Sequence, residues 1–130
     1  MSTQAVARYP FETAVTAYGN GGFRFGEISH KGSILCLPGG VFAWDVASDA
    51  AAAHTLTVED FAFALAQLTA PGVLLLGTGA GQIFPSGAIT KAFAQAGIGL
   101  EAMSTGAAAR TYNVLLAEKR CVAAALIAVA

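Results

Sequence analysis

The first stretch that could do chemistry is a glycine-rich turn, Gly77-Thr78-Gly79-Ala80-Gly81, which follows the apolar run at 73–76. Glycines let backbone N–H groups approach an anion, and a helix that follows adds partial positive charge at its N-terminus. The spacing matches neither G-x-G-x-x-G with an immediate helix nor G-x-x-x-x-G-K-[ST], because no lysine follows the turn and Pro85 delays the helix. A tight structural turn is therefore the favoured interpretation, and phosphate binding stays open as the alternative.

Two hydroxyls and a cation form the second candidate. Ser104 and Thr105 stand where a predicted strand ends, and Arg110 follows about one turn inside the next predicted helix, whose cap we expect to be Thr105. A cation near a helix N-terminus is disfavoured by the helix dipole. We therefore expect something negative to compensate Arg110, either an internal carboxylate such as Asp45 or Asp49 or a bound anion.

These two stretches predict one binding crevice. Both follow strands that we expect to be parallel, so both emerge at the carboxyl edge of the sheet, where open α/β sheets bind ligands. Asn113 falls near Arg110 and is expected to be free, whereas Tyr112 falls on a packing face. The predicted site takes a small anion or an acidic segment of a partner, and comprises Gly77, Thr78, Gly79, Gly81, Ser104, Thr105, Arg110 and Asn113. Replacing Arg110 with Ala should weaken binding by about 1.5 to 3 kcal/mol with little loss of stability.

The other reactive side chains form no catalytic or metal-binding pattern. His30 and His54 have no Cys, Asp or Glu at ligand spacing and are expected to be surface or turn residues. Cys36 and Cys121 lie in apolar runs, which favours packed thiols over a disulfide, and Ser86 lacks a nucleophile elbow and is expected to cap a helix. We predict no metal, no cofactor and no enzymatic activity.

The composition restricts the class of protein. The 130 residues are 55% apolar and only 12% charged, which predicts one domain with much neutral surface and leaves both a monomer and a homo-oligomer open. The net charge of −1, without a basic cluster, argues against nucleic-acid binding. The longest apolar run, 121–130, is too short to cross a bilayer, and the N-terminus resembles neither a signal nor a transit peptide. We expect a cytoplasmic bacterial protein that is not integral to a membrane.

The elements that position these residues follow from apolar periodicity. Residues 1–12 are expected to be a loose arm before a single domain at 13–130. Apolar and β-branched runs predict an antiparallel meander, with strands at 13–18, 23–25 and 33–37, and Trp44 beyond it as a packing anchor. The segment 47–55 is expected to be an exposed connection.

The second half of the chain alternates helices with short apolar runs. Helices are predicted near 57–69, 86–96 and 106–118, and strands at 73–76, 100–103 and 122–129. The last run has no polar alternation, so its strand should be covered on both faces at the centre of the sheet. The predicted fold is three-layer α/β, with a mixed, mostly parallel central sheet flanked by helices.

Several motifs resemble the Mth-type domain family, a domain of unknown function. They are Gly21-Gly22-Phe23-Arg24-Phe25, Gly32-Ser33, Leu37-Pro38-Gly39-Gly40-Val41, Trp44, Leu76-Gly77-Thr78-Gly79, Arg110-Thr111-Tyr112-Asn113-Val114-Leu115, Glu118 and the run at 122–127. The resemblance covers about residues 13–129 and implies a three-layer α/β fold with a mixed sheet. The family often has an acidic residue where Ser104 stands and a cysteine where Ala109 stands, so chemistry that depends on those groups is not expected here.

The resemblance also implies a function. Relatives include the mitochondrial respiratory complex I assembly factor 3 and the adipogenesis-associated Mth domain protein. For the mitochondrial relatives it implies non-enzymatic help in assembling a membrane-bound NADH:ubiquinone oxidoreductase. The favoured hypothesis is therefore a scaffold or assembly factor whose partners are respiratory-complex or membrane-insertion proteins. The alternative is a small-anion or metabolite-binding protein, or an enzyme, that uses the crevice near Thr105 and Arg110.

Overall fold

The computed structural model describes residues 6–48 and 52–130. The strands are β1 (Val15–Gly19), β2 (Gly22–Phe25), β3 (Ile28–Lys31), β4 (Ser33–Leu37), β5 (Gly40–Trp44), β6 (Gly72–Gly77), β7 (Ile98–Met103) and β8 (Val122–Leu126). The α-helices are α1 (Ala62–Gln67), α2 (Gly87–Ala96) and α3 (Thr105–Ala117), and two short 3₁₀ helices, Ala52–Thr55 and Val58–Phe61, precede α1.

Five strands form the central sheet, in the order β5-β4-β8-β6-β7. Strands β6, β7 and β8 run parallel, whereas β4 is antiparallel to both of its neighbours, β5 and β8. Strand β8 lies in the middle, and all of its residues are buried. This confirms that the apolar run near residue 122 forms the centre of a mixed sheet, as its lack of polar alternation predicted.

The central strand is shorter than predicted. It ends at Leu126 instead of residue 129, because the backbone then bonds to several segments in turn. Ile127 N–H donates to the Gly77 carbonyl at 3.0 Å, and Ala128 N–H donates to the Ser33 hydroxyl at 2.9 Å. The Val129 carbonyl accepts from Gly21 N–H at 2.7 Å, so the segment after β8 connects the two sheets.

A separate antiparallel sheet has the order β1-β2-β3 and confirms the predicted meander. Asn20 and Gly21, at φ 53° and 79°, make the two-residue turn between β1 and β2, as a type I′ hairpin requires. The third meander strand was assigned wrongly, however. The run at 33–37 is β4 of the central sheet. Strands β3 and β5 were not predicted. Strand β3 is short and mostly polar, and β5 has no alternation of polar and apolar residues that would separate it from the preceding turn.

The layers are as predicted, because successive residues of the central strands point to opposite faces. One face packs against α1, α2 and the 3₁₀ helix before them, through Phe61, Ala64, Ile89 and Phe93 against Leu35, Leu74, Leu76 and Ala125. The other face packs against α3 and the small sheet, through Ala108, Ala109, Tyr112, Phe23 and Phe25 against Ile34, Leu75 and Ala124. A sheet between two covering layers is the predicted three-layer α/β architecture.

The first predicted helix is broken into two pieces. A 3₁₀ helix, Val58–Phe61, precedes α1, which ends at Gln67 instead of residue 69. The Asp60 carboxylate accepts from Thr57 N–H at 2.8 Å, which is one half of the expected capping box. Trp44 is buried, donates its indole N–H to the Asp60 carbonyl at 2.8 Å and packs on Phe61, which confirms its role as a packing anchor.

Helix α2 matches its terminal signals. Ser86 caps α2 by accepting from Ile89 N–H at 3.4 Å, and Gly97 ends it with φ 74°. The predicted exposed connection at 47–55 lies partly outside the described residues. Within it, Ala52 and Ala53 are buried in a 3₁₀ helix, so the expectation of exposure is wrong for those two residues.

The N-terminal segment contacts the domain. Of the expected arm at 1–12, residues 1–5 lie outside the described part of the chain. The next residues pair with β5, since Arg8 N–H donates to the Val41 carbonyl at 2.7 Å and Val41 N–H donates to the Tyr9 carbonyl at 2.9 Å. In the described ranges, none of the helices has the length and apolar character needed to span a bilayer.

Candidate functional site

The glycine turn leaves the carboxyl end of β6 beside the carboxyl end of β7, as predicted. Gly77 is paired with Met103 in the parallel register, and Thr78 N–H donates to the Met103 carbonyl at 2.8 Å. The Thr78 hydroxyl is buried and bonds to the carbonyls of Gly81 and Met103, while Ile83 N–H donates to it at 3.0 Å. These bonds make residues 77–83 a rigid structural turn, the interpretation that the sequence favoured.

The first turn of α3 is bonded directly to the glycine turn. Thr105 N–H donates to the Gly79 carbonyl at 2.8 Å, and Gly79 N–H donates to the Thr105 hydroxyl at 3.0 Å. That hydroxyl also donates to the Ile127 carbonyl at 2.7 Å, and the whole residue is buried. The Gly79 and Thr105 amides, on which the anion-binding hypothesis depended, are therefore already satisfied within the protein.

The predicted cap is off by one residue. Ser104, not Thr105, is the N-cap, and its hydroxyl accepts from Ala107 N–H at 3.3 Å. Ser and Thr are both good N-caps, so local preference does not choose between them. The choice is made by tertiary structure, because the Thr105 hydroxyl is required by Gly79 and Ile127 in the interior.

Gly77 shows how closely this end of the sheet is packed. A Cβ added at Gly77 would lie 2.9 Å from the Thr105 Cα and 2.9 Å from a methyl group of Leu126. Real Cβ atoms do not approach neighbours so closely, so only glycine fits without displacement of α3 or β8. We call this region, made of residues 77–83 with Ser104 and Thr105, the closed carboxyl end.

Arg110 leans back toward the N-terminus of α3, as predicted from helix geometry. A Cβ at Gly106 would lie 3.3 Å from an Arg110 guanidinium nitrogen, and that nitrogen donates to the Tyr18 hydroxyl at 3.2 Å. Among the described residues, no carboxylate pairs with Arg110: Asp45 is exposed without an ion pair to it, and Asp49 lies outside the described part of the chain. Across residues 6–48 and 52–130, the one ion pair joins Arg120 and Glu118 at 3.8 Å.

Asn113 is not free to meet a ligand, so that expectation is wrong. Its side-chain oxygen accepts from Val15 N–H at 2.9 Å, and its side-chain nitrogen donates to the Val15 carbonyl at 2.8 Å. The amide thereby imitates a strand neighbour for β1 and attaches it to α3. Arg110 and Asn113 both line a depression of about 340 Å³ between β1 and α3.

The titratable groups outside the crevice are dispersed over the part of the chain that the structure describes. Among the described residues, no cluster of three or more His, Cys, Asp or Glu side chains could hold a metal. His54 is exposed, and partial burial followed by the Arg8 charge lowers the pKa of the half-buried His30, against a smaller raising effect of a backbone hydrogen bond with Ser33. Burial raises the pKa of the Cys36 thiol to about 12, so this thiol stays protonated. The prediction of a packed thiol is wrong for Cys121, which is exposed.

Tyr112 lies on the packing face of α3, as predicted, with its ring fully buried. Burial is the largest cause that raises its pKa, followed by the electrostatic effects of the neighbouring Cys36 and Glu12. Its hydroxyl has no hydrogen-bond partner in the described part of the chain. An unsatisfied buried hydroxyl costs about 1 to 3 kcal/mol, so the Tyr112 hydroxyl lowers the stability of the fold.

A cavity that the sequence did not predict lies at the opposite, amino end of the parallel strands. We call it the amino-end cavity. Its volume is about 510 Å³, and its apolar walls come from Leu68, Val73, Ile98, Leu116 and Val122. Lys119, Arg120, Cys121 and Glu12 also line it. No local sequence signal indicated this cavity, because its lining residues come from distant segments of the chain. Lys119, which lines it just after α3, takes φ 61°.

The chain matches a protein-family model over residues 15–127, described as a protein of unknown function (DUF498/DUF598). An uncharacterized protein of Rhodobacter capsulatus is 33% identical over 113 residues, which cover 87% of this chain and 82% of that protein.

Solved structures share the fold. A crystal structure described as an outer membrane protein from Bartonella henselae has a TM-score of 0.84 and 41% identity, with 95% of this chain and 100% of that one covered. A solution structure of a Bordetella pertussis protein described as a Mth938-like domain has a TM-score of 0.74 and 30% identity, with 98% and 92% covered. The match over most of the chain, together with this fold, makes the protein a member of the DUF498/DUF598 family of unknown function, with a Mth938-like domain.

Proposed function

We propose that the protein is a non-enzymatic assembly factor or scaffold that acts through protein contacts and binds an acidic, partly apolar segment of its partner. The observation that supports this most is an exposed surface made of Tyr18, Arg110 and Val114, which we call the α3 surface. Tyr18 is 43% exposed and Val114 is 56% exposed, and Arg110 lies exposed between Tyr18 and the next turn of α3. Tyr and Arg are enriched among residues that dominate binding energy at interfaces.

The α3 surface is held in place before any partner binds. The Tyr18 hydroxyl lies over Gly106, at a distance that leaves no room for a side chain there, and it accepts the hydrogen bond from Arg110. Asn113 fixes β1 against the same helix. Because little side-chain freedom remains to be lost, association with a partner is favoured.

Charge indicates the partner's chemistry. Arg110 makes no ion pair with a carboxylate of the described residues, so its guanidinium is available for a bidentate bond to an Asp or Glu of another protein. Val114 and the depression beside β1 add apolar contact on the same side of the helix. A segment that carries a carboxylate next to an apolar side chain fits this surface.

The family resemblance supplies the proposed context, which is the assembly of respiratory complex I or a related membrane complex. The Bartonella relative is described as an outer membrane protein, which also directs the search to membrane-associated partners. The alternative, a small anion held by the glycine turn, is less supported because Gly79 and Thr105 bond to each other.

Affinity capture from the native host, followed by mass spectrometry, tests the proposal. We expect subunits of NADH:ubiquinone oxidoreductase or membrane-insertion proteins to copurify with the tagged protein. Arg110→Glu should reduce their recovery at least tenfold, since a hydrogen bond to a charged group contributes about 1.5 to 3 kcal/mol. Arg24→Glu is the matched control, because Arg24 is exposed on β2 and faces away from the buried Phe23 and Phe25.

Stability and bound metabolites complete the test. Thermal unfolding of Arg110→Ala should differ little from wild type, by less than about 0.5 kcal/mol, because Arg110 is exposed. Capture of the protein alone with a bound metabolite would favour the small-molecule alternative. Equal recovery with Arg110→Glu and Arg24→Glu would exclude the α3 surface as the partner site.

A further inference from the structure

The amino-end cavity has no part in the proposed protein contacts. We propose that it is a binding site for a small amphipathic acid, a molecule with an aliphatic body and a carboxylate head. Its volume of about 510 Å³ lies within the roughly 300 to 1,000 Å³ of ordinary ligand pockets. It is formed by residues that begin the parallel strands and end α1 and α3, so no single element closes it.

The walls suit an aliphatic body. Ile98 and Val122 are each only 4% exposed and form the floor of the cavity, and Leu68, Val73 and Leu116 are half-buried around it. These side chains belong to the margins of both apolar cores, where the covering layers separate. An aliphatic chain placed there removes apolar surface from water on both molecules, which is the main source of affinity for such ligands.

The charges suit an anionic head. Lys119 and Arg120 both line the cavity, whereas Glu12 is the one carboxylate among its lining residues. The pair between Arg120 and Glu118 is long, at 3.8 Å, with side chains 66% and 56% exposed, so solvent screens it and the guanidinium can turn to another anion. Two cations against one carboxylate favour an acid over an amine or a neutral alcohol.

The backbone of Lys119 is a second, independent observation. Lys119 N–H donates to the Leu116 carbonyl at 2.9 Å, and Arg120 N–H donates to the Leu115 carbonyl at 3.0 Å, which is a Schellman motif. Lys119 has φ 61°, a conformation for which glycine is the usual and less strained residue. Non-glycine residues in this conformation cluster at active sites and ligand-binding sites, and Lys119 lines the cavity.

Alkylation of Cys121 reports directly whether a ligand occupies the cavity, because Cys121 is exposed and lines it. The only other thiol in the sequence, Cys36, is fully buried, and its pKa is raised to about 12, so it does not compete for alkylation. The experiment measures the rate at which N-ethylmaleimide alkylates Cys121 in the presence of octanoate, 1-octanol or octylamine, with Cys121→Ser as the blank. Octanoate should slow alkylation at concentrations below its micelle formation, and at lower concentration than 1-octanol or octylamine.

Matched variants test the contribution of the ligand's carboxylate head separately from that of its aliphatic body. In the double variant Lys119→Gly and Arg120→Gln, half-maximal protection should require about fivefold more octanoate, as expected for losing partly exposed ion pairs, while protection by 1-octanol stays the same. Arg120→Gln alone serves if the double variant does not fold. Amide NMR shifts caused by octanoate should centre on Gly72, Val73, Ile98 and Val122.

The proposal fails if octanoate gives no protection, if octylamine protects better, if the variants respond to octanoate as wild type does, or if the amide shifts centre elsewhere. Arg110→Glu leaves octanoate protection unchanged, so this test is independent of the α3 surface.

Discussion

The carboxyl and amino ends of the central sheet differ in how the segments that connect strands and helices pack there. At the carboxyl end, β7 leads into α3 with only Ser104 between them, so the first turn of the helix lies directly on Gly77 and Gly79. At the amino end, residues 68–71 and 118–121 lead from α1 and α3 back into β6 and β8, and the amino-end cavity remains between these two segments. Hydrogen bonds between the turn after β6 and the first turn of α3 close the carboxyl end, whereas the amino end stays open between the two returning segments.

This difference qualifies the rule that ligands bind at the carboxyl edge of open α/β sheets. The rule depends on a crevice between connections that leave toward opposite faces of the sheet. Here α2 and α3 do leave β6 and β7 toward opposite faces, but Thr105 fills the crevice with its side chain and bonds to both Gly79 and Ile127. Topology locates the edge, whereas the hydrogen bonds decide whether the edge has room for a ligand.

The largest expected effect tests what closes the carboxyl end. Thr105→Val keeps the shape of the side chain but leaves the Gly79 amide and the Ile127 carbonyl without this partner. We expect the free energy of unfolding in urea to fall by about 2 to 4 kcal/mol, since each unsatisfied buried group costs about 1 to 3 kcal/mol. Ser104→Ala, which removes only the cap, should cost about 1 kcal/mol. Equal losses in the two variants would mean that Thr105 does not hold this end closed.

A smaller effect is expected from a single methyl group. Gly77→Ala places a Cβ against the Thr105 backbone and Leu126, so thermal and urea unfolding should show a loss of about 1 to 3 kcal/mol, the usual cost of overpacking. Gly81→Ala, in the same turn, meets nothing within 4 Å and should change stability by less than about 1 kcal/mol. A stable Gly77→Ala protein would show that α3 can move away from β6, and hence that the end can open.

The smallest effect has the opposite sign and belongs to the amino end. Lys119→Gly relieves the strain of a left-handed backbone conformation just after α3. It should therefore raise the free energy of unfolding by about 0.5 to 1 kcal/mol. Lys119→Ala removes the same charge without relieving the backbone, so it should give no such gain. If Lys119→Gly destabilises the protein, the lysine side chain supports the fold and its strain needs no ligand to explain it.

Sequence patterns predicted features whose causes are local. The central position of β8 followed from its unbroken apolar run, and Ser86 and Gly97 were recognised as the ends of α2 from cap preferences. The glycine turn was correctly placed at a strand end, because Gly and Thr signals lie within a few residues of each other.

Features that depend on distant partners were missed. Asn113 was expected to be free because its partner, Val15, lies 98 positions away. The cap was assigned to Thr105 because its bond to Ile127 is equally invisible in a local window. The amino-end cavity is lined by residues from the N-terminal segment, the turn after β4, the ends of α1 and α3 and the starts of three strands, and no pattern in one segment describes the space between them.

The attachment of β1 to Asn113 also has a consequence for how the chain is made. Protein synthesis is vectorial, so β1 and β2 leave the ribosome long before α3 and β8, which cover Phe23 and Phe25. Until then, those aromatic side chains have no native layer to pack against, and β4 lacks its neighbour β8. The nascent first half therefore exposes apolar surface to water, and the central sheet is completed only when β8 is inserted between β4 and β6, which are made earlier.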